Sequence, residues 1–276
     1  GVDEEEIARA LQAARVEPVL TAHPTEAKRQ TVLEHHRALY LLLLKRENTM
    51  YTTLEQDSVR DEIKAAIERL WRTGEIFLEK PDLASERRHV LHFLRNVFPE
   101  VLPEVRARLR QAWRVCGLDP AVLERSPRRP TLSFGSWVGG DRDGHPLVTG
   151  DVTRETLEIH RAEALELHRR KLGEAAIRLS LSGRLQPVPE VLTEAVAARA
   201  AMLGDEGAAA LERNPDEPWR QFLNLMILSL PTADAGARPV YADASELAAD
   251  LTLLHDSLLA VGARRLAEGE VAPLID

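Results

Sequence analysis

Cysteine is almost absent from this chain of 276 residues, with Cys116 its single thiol. One thiol excludes an internal disulfide and a thiolate metal cage, and it suggests a reducing cytoplasm as the compartment. Long hydrophobic runs are missing too. The longest, Ala38 to Leu44, has seven residues, against the roughly 20 that span a bilayer, so no membrane role is expected. Basic excess is absent: 44 acidic against 36 basic residues leave a formal charge of −8. That balance disfavours nucleic acid or an anionic membrane as the main partner. The opening "GVDEEEIARALQAA" has neither the basic start nor the apolar stretch of a signal peptide. A start at Gly1 and a close on "EVAPLID" suggest a processed or truncated chain. No fixed-period repeat and no low-complexity tract stands out.

What the sequence does hold is Ala, Leu, Glu and Arg in long segments with apolar residues three and four apart, which predicts amphipathic helices. The expected fold is mainly α. Helices are predicted over 4–14, 25–47, 57–79, 83–115, 151–182, 190–203, 218–228 and 244–268, with Pro99 and Pro103 demanding a kink or break in the fourth. Loops are expected around Asn48, from Glu212 and from Pro231. Only "EPVLTA", Glu17 to Ala22, and "TLSFGSWV", Thr131 to Val138, read as strands. About a hundred mostly helical residues separate them, so they cannot form a tight hairpin. If they pair, they pair in parallel through a helical crossover.

Two constellations carry chemistry. In "VLTAHPTE", Pro24 suits a first helical residue and Glu26 the first helical turn. His23 then falls between strand and helix, at the carboxyl end of a strand, where active sites gather in parallel α/β architectures. An imidazole there suits proton transfer near neutral pH. It equally suits a helix cap or a polar niche. Lys28 and Arg29 fit an anionic ligand or a solvated face. In "FGSWVGGDRDGHP", Gly135, Gly139, Gly140 and Gly144 imply positive φ or close backbone approach. An EF-hand starting at Asp141 would need glycine and glutamate where Pro146 and Val152 stand. The spacing fits neither a dinucleotide fingerprint nor a P-loop. Asp141, Arg142 and Asp143 therefore read first as turn residues satisfying backbone groups and one another. Trp137, at a strand tip, either walls an apolar pocket or fills core.

Together, "VLTAHPTE" and "SFGSWVGGDRDGHPLVT" resemble the two N-terminal signatures of phosphoenolpyruvate carboxylase, in the same order. "LWRTGEI", "EPWRQFLNLMILSL" and "LAADLTLLHDSLLAVGARRLAEGE" add weaker similarity nearly end to end. The resemblance implies a single N-terminal portion, residues 1–276, of a helix-rich (β/α)₈ barrel, with the first two strands near 17–22 and 131–138. It implies an anaplerotic reaction feeding the tricarboxylic acid cycle: bicarbonate and phosphoenolpyruvate give oxaloacetate and phosphate through carboxyphosphate and an enolate. His23 matches the catalytic histidine. Trp137 matches the tryptophan of the CO₂ pocket, and Gly139, Gly140 and Arg142 belong to the substrate-binding loop beside it. His145 stands where many members have asparagine. The resemblance also implies Mg²⁺ or Mn²⁺ and a homo-oligomer for the full enzyme. The metal carboxylates, phosphate-clamping arginines, second histidine and a "GRGG" loop have no match here. Partners would be a C-terminal remainder or a second chain, and the segment alone is expected to be inactive. A split subunit, or a helical scaffold derived from the family, are the other readings.

Overall fold

The computed structural model describes residues 3–21, 30–73, 82–119, 122, 131–142, 147–232 and 241–275. They fall in two compact units, Gly1–Thr156 and Leu157–Asp276. The mainly helical expectation holds among the described residues, where strand is confined to four two-residue segments.

The first unit opens with α1 (Glu4–Ala13), whose N-cap Asp3 accepts from the Glu5 N–H and whose first turn carries Glu4, Glu5 and Glu6. That arrangement satisfies free amides and opposes the positive helix end. β1 (Arg15–Val16) and β2 (Val19–Leu20) follow. α2 (Gln30–Arg46) and α3 (Thr53–Arg72) pack together. α4 (Leu83–His92) and α5 (Phe98–Val115) flank a π-helical turn at Phe93–Val97. β3 (Thr131–Leu132), β4 (Gly135–Ser136) and the start of α6 (Gly150–Arg178) complete the unit.

Parallel pairing is borne out, with the strands shorter than expected. β1 pairs with β3 and β2 with β4, both in parallel and in one register, Arg15 opposite Thr131 and Val19 opposite Gly135. The carbonyls of Val16, Pro18 and Leu20 accept from the amides of Ser133, Gly135 and Trp137 at 3.0, 3.0 and 3.1 Å. One side of the ladder thus runs unbroken. The reciprocal bond fails at Pro18, which has no N–H to donate, and this splits one ladder into two short ones.

The break expected in the fourth predicted helix comes at Phe93–Val97, just before Pro99. There the Phe98 N–H reaches the Phe93 carbonyl, five residues back. Pro99 has no amide for an ordinary helical bond, and the wider turn absorbs the deficit. Pro103 lies inside α5 without ending it.

The second unit holds the densest packing. α7 (Glu190–Leu203), α8 (Asp205–Arg213), α9 (Pro218–Ser229) and α10 (Ala244–Ala260) bury Leu192, Val196, Trp219, Phe222, Met226, Leu254 and Leu258 in one cluster with Leu172 of α6 and Leu179 just past its end. The Trp219 indole N–H donates to Ser257 Oγ at 3.0 Å, and that hydroxyl donates in turn to the Leu254 carbonyl at 2.7 Å. Asp250 accepts from Arg199 and, at 2.6 Å, from the Tyr241 hydroxyl. Burial and that carboxylate push the Tyr241 phenol far above its ordinary range.

Two sequence expectations are corrected here. The loop expected from Glu212 starts later, because Glu212 and Arg213 finish α8. The helix expected over 244–268 stops at Ala260. There Gly262 adopts φ +77°, and the amides of Gly262 and Ala263 close back on the carbonyls of Leu259 and Leu258. This glycine-terminated cap satisfies the last carbonyls. α11 (Arg264–Leu266), a π turn at Ala267–Val271 and α12 (Ala272–Ile275) follow.

Candidate active site

Parallel strands put their carboxyl ends at one end of the ladder. β2 finishes at Leu20 and β4 at Ser136, and these two are register partners. In sequence, Trp137 follows β4, and Thr21, Ala22 and His23 follow β2. His23 itself lies outside the described residues, as do Lys28, Arg29, Asp143, Gly144 and His145.

Trp137 directly follows β4, with its amide bound to the Leu20 carbonyl and the residue 56% exposed. Within this chain the residue is not buried as core. Its carbonyl accepts from the amides of Gly140 at 3.0 Å and Asp141 at 2.9 Å. This double acceptance folds residues 137–141 into a tight loop. Gly139 is its buried pivot, at φ +81°. A Cβ there would overlap the side chain of Thr156 on α6. Glycine is required at this position for both dihedral and space.

Gly140 and Arg142 are exposed. A Cβ on Gly150, the first residue of α6, would lie 3.7 Å from Arg142 Nη2. The guanidinium therefore stands beside the positive end of a long helix. Two positive influences at one place suit an incoming anion.

Behind the loop, Phe134 stacks on Phe98 with centroids 4.0 Å apart and rings 10° from parallel. Phe98 leans on Phe93, which takes the ring edges of His89 and His92. The π turn thus delivers an aromatic wall against the β3–β4 strand. Glu17 Oε2 accepts from Ser133 Oγ at 3.2 Å across the ladder.

Sequence reasoning missed Arg87 and Thr156. Arg87 Nη2 pairs with Glu155 at 2.9 Å and Nη1 donates to Thr156 Oγ1 at 3.3 Å. No local pattern marks either residue, since they meet across 69 positions. Among the described residues no group of three His, Cys, Asp or Glu comes together to hold a metal ion. The described residues therefore do not by themselves supply a divalent-metal site.

A sequence-family model of phosphoenolpyruvate carboxylase matches residues 1–276. The chain belongs to the phosphoenolpyruvate carboxylase family. It is similar to the phosphoenolpyruvate carboxylase of Methylorubrum extorquens, at 38% identity over 99% of this chain and 30% of that protein. Similarity extends to that of Roseiflexus castenholzii, 31% identical over 96% of this chain and 29% of that protein. The Xanthomonas oryzae pv. oryzae protein is 35% identical over 94% of this chain and 28% of its own length. The chain thus spans about 30% of the length of the curated relatives it matches. Among the described residues, no helix is long and apolar enough to cross a membrane.

Proposed function

We propose that this chain is the N-terminal portion of a phosphoenolpyruvate carboxylase and contributes the bicarbonate side of its active site. The observation that carries this reading is the parallel register of Leu20 with Ser136. It supports bringing the segment after Leu20, with His23, to the strand end that carries Trp137.

In this reading bicarbonate oxygen attacks the phosphorus of phosphoenolpyruvate. The bond to the enol oxygen breaks, giving carboxyphosphate and the pyruvate enolate. His23 accepts the carboxyl proton of carboxyphosphate as its C–O bond to phosphate breaks, releasing CO₂ and phosphate. The enolate carbon then attacks CO₂ to form oxaloacetate. Trp137 supplies an apolar wall that keeps water from protonating the enolate. Gly139 and Gly140 shape the loop, and Arg142 beside α6 attracts the bicarbonate anion. Mg²⁺ or Mn²⁺ is assigned to residues outside this chain.

The exposure of Val16 (58%) and Val19 (42%) supports a remainder of the enzyme, on the same or a second polypeptide, as the partner that covers these strands. Parallel strands are ordinarily buried on both faces. The same reading makes residues 1–276 one portion of a (β/α)₈ barrel in a cytoplasmic homo-oligomer.

The test is oxaloacetate formation, followed by coupled NADH oxidation, in the complete carboxylase carrying this chain. His23→Ala is expected to lower kcat by about 10²- to 10⁴-fold, the scale of a lost general base. Wild-type turnover by the His23→Ala variant would remove His23 from the chemistry. Turnover by residues 1–276 alone, above their own His23→Ala control, would contradict the assignment of a partial site.

A further inference from the structure

We infer that Arg87 is a positioning residue that holds the Trp137–Arg142 loop in place through Thr156. The inference rests on the carboxylase reading for its kinetic consequence, and on geometry alone for its structural one. Arg87 projects from α4 with its side chain 12% exposed and straddles two successive residues of α6, pairing with Glu155 and donating to Thr156. The guanidinium reaches its two acceptors with separate nitrogens, Nη1 and Nη2; a lysine ammonium has one nitrogen for both.

Thr156 is 4% exposed and faces the α-carbon of Gly139 so closely that no Cβ fits between them. The route from α4 to the loop is therefore short and stiff: guanidinium, hydroxyl, threonine side chain, glycine backbone. Val138 and Gly139 are the buried members of the loop, whereas Trp137, Gly140 and Arg142 face outward. Fixing Gly139 fixes the turn whose two amides close on the Trp137 carbonyl. That turn decides where the indole and the Arg142 guanidinium stand. Both branches of the Arg87 fork are engaged by Glu155 and Thr156, so its influence falls on the placement of the proposed CO₂ pocket, and binding of bicarbonate should register it before binding of phosphoenolpyruvate does.

The experiment uses Arg87→Lys, Thr156→Val and Thr156→Ser, with two measurements. Hydrogen exchange in this chain is read on the peptide spanning residues 134–142. Arg87→Lys and Thr156→Val are expected to speed its exchange by about tenfold, the scale of one lost charge-assisted hydrogen bond. Thr156→Ser, which keeps the hydroxyl, should stay near wild type, and residues 218–229 of the other unit should be unaffected. Steady-state kinetics in the complete carboxylase should show KM for bicarbonate raised by roughly tenfold, with KM for phosphoenolpyruvate unchanged.

Unaltered exchange over 134–142 in both Arg87→Lys and Thr156→Val would overturn the inference. So would equal losses for the two substrates, which would mark a merely structural role. If Arg87→Lys fails to fold, Thr156→Val against Thr156→Ser carries the same comparison. A complete protein that makes no oxaloacetate would overturn the carboxylase reading and the kinetic role with it, while the exchange result would still decide whether Arg87 anchors the loop.

Discussion

His89 sits on α4 with its ring edge against Phe93. Burial, and secondarily the neighbouring His92, hold its pKa below the ordinary histidine value of 6.5. His168 on α6 is shifted the same way by burial alone. A histidine that prefers to stay neutral when folded binds fewer protons in the native state than in the unfolded one. Its stabilising contribution is complete above 6.5 and declines as pH falls from there through the lowered folded value. Capping carboxylates such as Asp82 and Asp243 are also lowered, but from 3.8, so their window lies further into acid. The melting temperature should therefore fall between about pH 7 and about pH 5, before carboxylates titrate. Replacing both histidines, as His89→Gln with His168→Gln, should flatten that limb. An unchanged slope in the double variant would show that other groups are responsible.

At the scale of elements, glycine does two separable things. Gly262 ends α10 at φ +77° with no atom near its would-be Cβ. Gly207 on α8, in contrast, lies where a Cβ would strike the Ala200 backbone of α7. Gly262→Ala should cost about 1 kcal/mol, the strain of a left-handed alanine. Gly207→Ala should cost more, roughly 1–3 kcal/mol, because two helices must move apart. Urea denaturation followed by circular dichroism would check the order, and a larger loss at Gly262 would refute it.

The same elements show what the sequence makes legible. Helix identity and the parallel pairing follow from periodicity and separation. Boundaries depend on single residues that periodicity ignores. α3 begins at Thr53 rather than Asp57 because Thr52 and Glu55 form a reciprocal capping box, a pattern plainly present in the sequence. Gly262 is equally visible as a helix stop. The ladder break at Pro18 depends on which amides face the partner strand, and the Arg87–Thr156–Gly139 chain depends on tertiary approach. Neither is written in local pattern. His23, Trp137 and the glycine loop stood out by motif; what holds Trp137 and the loop did not.

For the molecule as a whole, apolar burial is unevenly distributed. The large buried cluster runs from Leu172 to Val271, all within Leu157–Asp276. Its largest fully buried side chains include Trp219, Phe222 and Met226. In the first unit the ladder strands leave Val16 and Val19 exposed, and α2 and α3 expose Tyr40, Leu41, Leu44 and Trp71. Local opening is easiest where few apolar groups are buried and backbone bonds lie near solvent. Amides in β1 to β4 should therefore exchange at least roughly tenfold faster in this chain than those of α9. In the complete carboxylase, where the proposed remainder covers the strands, exchange over residues 15–20 and 131–137 should slow while α9 changes little. Mass spectrometry on the two forms reads both segments in one experiment. Equal exchange of strands and α9 in this chain would refute the uneven burial as the source of stability. Strands that exchange as fast in the complete enzyme would show that no partner covers them, and would remove the argument for a shared barrel from this end of the molecule.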